Sequence, residues 1–286
     1  MTNPYTKFVS DCTSLLRAAK SLPLGGFPPA PRPTPAPDAP KALIFSPHPD
    51  DECVIGGLAL RLLREAKFNI INIAVTQGTN PVRQQPRLAE LQAACHYLGF
   101  ALQQTAPNGL EGIKPDVRAS DPVHWAACVQ VIAAILREHQ PRVVFFPHDD
   151  DFNSAHIGVH HLLVDALKTL GPDFRTQVVE TEFWHAMTGA NLMIESSLAD
   201  VVDLVTATTF HVGEVQRNPY HIRLPAWLQD NVRRGGEVVG GQGGTPPDYD
   251  FATLYRLRLW AGGQWVKCPE GCRLVAATEN PASLFA

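Results

Sequence analysis

From position 41 onward, short runs of consecutive apolar residues alternate with longer stretches in which apolar positions recur every three or four residues. The runs ALIF (42–45), IINIAV (70–75) and VVFF (143–146) predict buried strands, and the stretches 54–66, 83–98, 123–138 and 157–170 predict helices between and after them. Helix 83–98 is the clearest, with Leu88, Leu91, Cys95 and Leu98 on one face, Pro86 near its start and Gly99 at its end. Fully apolar strands separated by helices imply a parallel sheet covered on both faces. Right-handed crossovers then give an α/β fold, a Rossmann-like three-layer sandwich. Downstream, the pattern predicts strands at 177–183 and 200–205. TLYRLRLW (253–260) alternates with period two and meets WVKC across an AGGQ turn, predicting a C-terminal antiparallel hairpin on a mostly parallel sheet.

The two ends of this pattern are different in kind. Residues 1–21 suit one short helix, and positions 23–40 hold eight prolines in eighteen residues, a composition that favours an extended polyproline-II arm. The chain therefore divides into an N-terminal helix and Pro-rich arm (1–40) and a main domain (41–286). Within the latter, GGEVVGGQGGTPPD (235–248) is too rich in glycine and proline for regular structure, and is expected to be a mobile lid over the functional crevice.

Composition narrows the function classes. Hydrophobic residues make up 45% of the 286, enough for a substantial core. Lys plus Arg (24) nearly balances Asp plus Glu (28), and no basic stripe could neutralise a run of phosphates, so nucleic acid is not the expected ligand. No apolar stretch approaches the ~18–20 residues of a membrane span, and MTNPYTKFVSD has no charged segment followed by an apolar one; a cytoplasmic protein is expected. The six cysteines are scattered and read mainly as buried thiols. Cys268 and Cys272 form one close pair, read as a hairpin turn, with no second pair to complete a four-cysteine zinc site.

Two constellations carry chemistry. SPHPDDEC (46–53) follows the first strand directly, and in an open α/β sheet ligands bind at the carboxyl ends of strands. His48, Asp50, Asp51 and Glu52 gather there. Two adjacent aspartates in an irregular turn point in different directions, so one can ligate a metal while the other reaches a water beside it. Helix capping by a lone acidic residue is the alternative, but it leaves His48 with its flanking prolines unexplained. PHDDDFNSAHIGVHH (147–161) follows VVFF and holds four of the eleven histidines. His156, at the entry to helix 157–170, can face the same crevice, whereas His160 and His161 lie further along and diverge from each other.

With these residues the sequence resembles the PIG-L/LmbE-like family of zinc-dependent deacetylases, whose hallmark is a strand followed by (A/S)HPDDE. Pro47 here stands between the small residue and His48. TQG (76–78) and the pair Arg87 and Glu90 also fit, so the resemblance spans roughly 41–170. It implies Zn²⁺ held by His48, Asp51 and His156, and Asp50 as general base. It further implies hydrolysis of an N-acyl, principally N-acetyl, amide on a small-molecule amino sugar or glycoconjugate. Arg87 and His221 are assigned to the substrate, Arg87 having an ion pair with Glu90 as its alternative role. The chain departs from the family where His-x-Asp-His is usual. Asn153 stands in place of the histidine and Ala155 in place of the acid. Asn153 can donate to an oxyanion but cannot transfer a proton. The acid is then His148, His185 or His221, or Asp50 performs both transfers. Two rivals remain in view: a two-metal phosphoesterase, and a non-catalytic sugar-binding relative. An oligomer is compatible with any of these.

Overall fold

The computed structural model describes residues 3–29, 32–266 and 272–285. In chain order the elements are α1 (Pro4–Ala19), β1 (Lys41–Ser46), α2 (Asp51–Val54), α3 (Leu58–Arg64), β2 (Asn69–Ala74), α4 (Pro81–Leu98) and β3 (Ala101–Gln104). There follow α5 (Pro115–Ser120), α6 (Pro122–His139), β4 (Val143–Pro147), α7 (Ser154–Lys168), β5 (Thr176–Thr181) and β6 (Leu192–Glu195). The chain continues with α8 (Leu198–Thr208), α9 (Val212–Arg217), α10 (Leu224–Val238), β7 (Ala252–Ala261), β8 (Gln264–Val266) and β9 (Arg273–Val275).

The strands form one sheet in the order β3-β2-β1-β4-β5-β7-β6-β9, with β8 paired to β7. β1 to β5 are mutually parallel. β7 is inserted antiparallel between β5 and β6 and returns through Gly262 and Gly263 into β8. Alternation along β1 feeds two cores. Ala42 and Ile44 pack with α2, α3, α4, α8 and α10, while Leu43 and Phe45 pack with α6 and α7, which gives the three layers. From β1 the chain winds outward to β2 and β3; from β4 it winds the other way to β5. The crevice at the carboxyl ends of the neighbouring strands β1 and β4 is therefore the topological switch point, where ligand sites form in such sheets. Among the described residues no helix is long and apolar enough to cross a membrane.

Several expected elements differ. The single helix expected at 54–66 is two, broken at Gly56. That residue has φ +87°, and a Cβ there would lie 2.1 Å from Thr253 Oγ1. The strand expected at 200–205 is part of helix α8. Ser197 and Asp200 form a reciprocal capping box, and Val201, Leu204 and Ala207 repeat at helical spacing, which outweighs the strand propensity of the valines. Gly235 and Gly236 belong to α10 and are buried, Gly235 against Met193 and Leu254. The loop after them folds back so that Gly244 sits on the Gly236 carbonyl, packed against the helix. Glycine there serves close backbone packing, a use that composition does not separate from flexibility. Lys267 and Cys268, the last two residues of WVKC, lie outside the described residues; Cys272 is an exposed free thiol.

Candidate metal centre

The turn after β1 is held from several sides. Thr76 Oγ1 donates to the Pro47 carbonyl at 2.7 Å and Arg87 Nη2 to the Pro49 carbonyl at 3.0 Å. The His48 backbone N–H donates to Asp51 Oδ2 at 2.8 Å. Asp50 is left with φ 116°, a conformation that costs a non-glycine residue of order 1–3 kcal/mol and is typical of functional sites. Its N–H donates to Glu52 Oε2 at 3.0 Å, and Glu52 Oε1 in turn meets His211 Nε2 at 2.7 Å, both side chains fully buried. Tyr220 donates its hydroxyl proton to Asp50 Oδ2 at 2.5 Å.

Donor atoms of His48, Asp51 and His156 lie within 4.8 Å of one another. Asp51 Oδ2 is 3.5 Å from His48 Nδ1 and 3.4 Å from His156 Nε2. Ligand bonds of 2.0–2.1 Å around a tetrahedral ion place donors about 3.3 Å apart, so the spacing fits a cation such as Zn²⁺. Both ring nitrogens of His156 are shielded from solvent, and among the described residues neither has a hydrogen-bond partner of good geometry, which fits the role of a metal ligand. Asp151 Oδ2 stands 3.6 Å from His156 Nδ1, on the side away from Asp51, and is fixed by the backbone N–H of Trp184 at 3.1 Å. Carboxylates so placed orient a metal-binding imidazole.

The electrostatics agree. Burial lowers the basicity of His156, but the carboxylates of Asp51 and Asp151 outweigh it and raise the imidazole to about 10. The pocket thus demands positive charge, which a cation can supply in place of the proton. For Asp51, burial acts upward, yet His156 and His48 hold it well below the usual carboxylate range. Asp50 behaves oppositely. Burial first, then the charge of Asp51, push it up to about 7, against the opposing influence of His211, Tyr220 and Arg87. Two adjacent carboxyl groups are thereby driven apart, one a permanent anion and the other able to exchange a proton near neutrality. A second cluster, Glu52, Cys53 and His211, is fully buried, and Glu52 Oε1 is already shared between the other two at 3.1 and 2.7 Å.

The remaining candidates are distributed as follows. Asn153 is the N-cap of α7; its Oδ1 accepts from the Ala155 N–H at 2.9 Å, leaving only the NH₂ group to act as a donor. Arg87 is paired not with Glu90 but with Glu214, 3.6 Å away, besides holding Pro49; Glu90 instead accepts from the Gly213 N–H. His148 is engaged at both nitrogens, with the Asp150 N–H and the His185 carbonyl. His185 is stacked on Phe152 and bonded through Nδ1 to the Asp150 carbonyl. His221 lines a cavity of about 780 Å³ beneath α1 together with Leu16, Thr209 and Phe251, apart from the histidine and aspartate cluster; its neighbour Tyr220 is the residue that touches Asp50. His160 is tied to the Pro147 carbonyl at 2.9 Å. Tyr220, His211 and Asp151 were not singled out by sequence. The first two lie 170 and 159 positions from their partners, and only Asp151, within an acidic run beside His156, left any local signal.

A family model described as PIG-L: GlcNAc-PI de-N-acetylase matches residues 43–167, the segment that carries all three ligand candidates and Asp50. Among solved structures, the conserved protein TT1542 from Thermus thermophilus is 19% identical, with TM-score 0.55, covering 75% of this chain and 93% of that one. N,N'-diacetylchitobiose deacetylase from Pyrococcus horikoshii is 16% identical, with TM-score 0.54, covering 92% and 94%. GalB, the 4-carboxy-2-hydroxymuconate hydratase from Pseudomonas putida KT2440, is 16% identical, with TM-score 0.52, covering 76% and 95%. At these identities the likeness concerns the fold, and the fold serves more than one reaction. A search of curated protein sequences returns no match.

Proposed function

From the premise that residues 43–167 form a PIG-L-family domain, we propose that this protein is a Zn²⁺-dependent amidohydrolase that removes an N-acyl group from an amino sugar or glycoconjugate. The observation that carries the reading is the pairing of a three-donor cluster, His48, Asp51 and His156, with a neighbouring carboxylate, Asp50, that is free of the cluster and near neutral in its proton affinity. When bound, Zn²⁺ would lower the pKa of a water to about 7 and polarise the amide carbonyl. Asp50 takes the proton of the attacking water, with Tyr220 holding the carboxylate in place. The Asn153 NH₂ group supplies a hydrogen bond to the developing oxyanion. Protonated Asp50 returns its proton to the departing amine, since both nitrogens of His148 are committed to the backbone.

The phosphoesterase alternative needs carboxylates for a second cation. Asp149 is spent on Arg256 at 2.7 Å and the Asp150 side chain is largely exposed, which favours one metal. The test is metal content with carboxylate release from N-acyl amino sugars, in wild type and Asp50→Asn. One zinc per chain in both proteins, with turnover at least a hundredfold lower in the variant, is expected. Loss of zinc from Asp50→Asn would make Asp50 a ligand, and phosphate-ester cleavage without amide cleavage would overturn the reading.

A further inference from the structure

Two of the cavities that border the candidate metal centre share no lining residue, and they differ in chemistry. One, of about 320 Å³, is bounded by His48 and Ala155 and offers Thr79, Gln84, Glu111 and Lys114. The other, of about 270 Å³, is walled by Val54, Phe183, Trp184, Tyr220, Leu224 and Trp227, and its one charged lining residue, Arg223, is exposed. The apolar cavity is joined to the reacting groups by direct contact. The Phe183 ring meets the edge of His156 at 4.7 Å between centroids, the Tyr220 hydroxyl holds Asp50, and Val54 ends the short helix that Asp51 begins.

The aromatic cavity suits a sugar less well than the polar one. Sugar hydroxyls would lose water there and find few partners, because the Tyr220 hydroxyl is already committed to Asp50. An acetyl methyl does not suit it. A water takes up about 30 Å³ of liquid, so most of the 270 Å³ would stay as water against aromatic walls. A polar cavity on the His48 side and an apolar one on the Asp50 and His156 side together fit an amide with a hydroxyl-rich amine half and an extended apolar acyl half.

Resting on the hydrolase reading above, we infer that the aromatic cavity is an acyl pocket and that the substrate class is N-acyl amino sugars whose acyl group is longer than acetyl, a medium alkyl or aryl-alkyl chain. Water adds to the acyl carbon, the C–N bond breaks with its electron pair going to nitrogen, and a proton is delivered to that nitrogen; the products are a fatty or arylalkanoic acid and the free amino sugar.

The experiment compares N-acetyl-, N-butanoyl- and N-hexanoylglucosamine. Turnover is followed in the zinc-loaded wild type, and binding in zinc-loaded Asp50→Asn through the fluorescence of Trp184 and Trp227. Each buried methylene is worth about fourfold, so even partial burial should raise kcat/KM at least about tenfold from acetyl to hexanoyl, with a parallel gain in binding. Leu224→Trp, which fills the cavity, should bring both ratios to about one. Trp227→Ala, which removes a half-buried wall, should lower them severalfold in a protein less prone to misfold. Ratios near one in the wild-type chemistry overturn the acyl pocket, and continued release of acetate would then leave the hydrolase reading standing. Tighter binding of the hexanoyl compound that is lost in the cavity variants, with no amide cleaved, sustains the pocket and overturns the hydrolase reading.

Discussion

Tyr220 shows how much of the site rests on a single hydroxyl. Its hydrogen bond favours the charged form of Asp50, which burial and Asp51 disfavour, so Tyr220→Phe should raise the proton affinity of Asp50. A general base works only when deprotonated. The acid limb of kcat/KM against pH should therefore move to higher pH in Tyr220→Phe, with zinc content unchanged; an unmoved limb would remove Asp50 from the role of base. His211 acts one step further back. Burial lowers its basicity, but Glu52 and Asp50 outweigh this and raise it, so the stability contributed by the pair is complete below the ordinary imidazole range and fades as pH rises through the elevated value. His211→Ala leaves the Glu52 side chain buried without this partner, and urea unfolding should show a loss of roughly 3–5 kcal/mol; a loss under about 1 kcal/mol would mean that the pair adds little to the fold. The motif SPHPDDE was legible because a strand-end turn and a cluster of candidate ligands and acids fall within the same seven positions. Tyr220 and His211 were not, since nothing near them in sequence reveals what they face.

At the level of elements, α7 is the part on which the site is most exposed to error. A Cβ on Gly158 would stand 2.4 Å from the Ile113 carbonyl oxygen and 2.8 Å from the Lys114 nitrogen, so the helix that carries His156 runs directly against the backbone of the segment lining the polar cavity. Gly158→Ala must move one of them. Overpacking of this kind costs about 1–3 kcal/mol, and because His156 lies two residues away the expected outcome includes weaker zinc binding in chelator competition. Gly171→Ala, where nothing lies within 4 Å of the new methyl, is the control and should bind zinc normally. Helices α4, α6 and α7 were readable from periodicity because each buries one continuous stripe. The misread strand at 200–205 shows the limit of that reading: valines at consecutive positions suggest a strand, but Ser197 and Asp200 supply a helix start that the apolar pattern alone does not weigh.

For the molecule as a whole, the buried excess of carboxylate at the switch point would couple the binding of a cation to folding. Zinc at a hundredfold above its Kd should add about 2.7 kcal/mol and raise Tm by roughly 5–10 °C, an effect that His156→Ala should abolish; an equal rise in that variant would place the ion elsewhere. The sequence by itself determined the alternating α/β architecture and the two strand ends at which His48, Asp51 and His156 would meet. Apolar period and strand-end chemistry are local properties, written in runs of a few residues. Only the tertiary structure decided what surrounds them: that Asp151 backs His156, that Tyr220 rather than His221 reaches Asp50, that the glycines at 235 and 236 pack a helix, and that an aromatic cavity opens beside the candidate metal centre. Each depends on segments tens to hundreds of residues apart being brought within a few ångströms by the packing of two cores on one sheet, and no local pattern encodes which side chains will share that space.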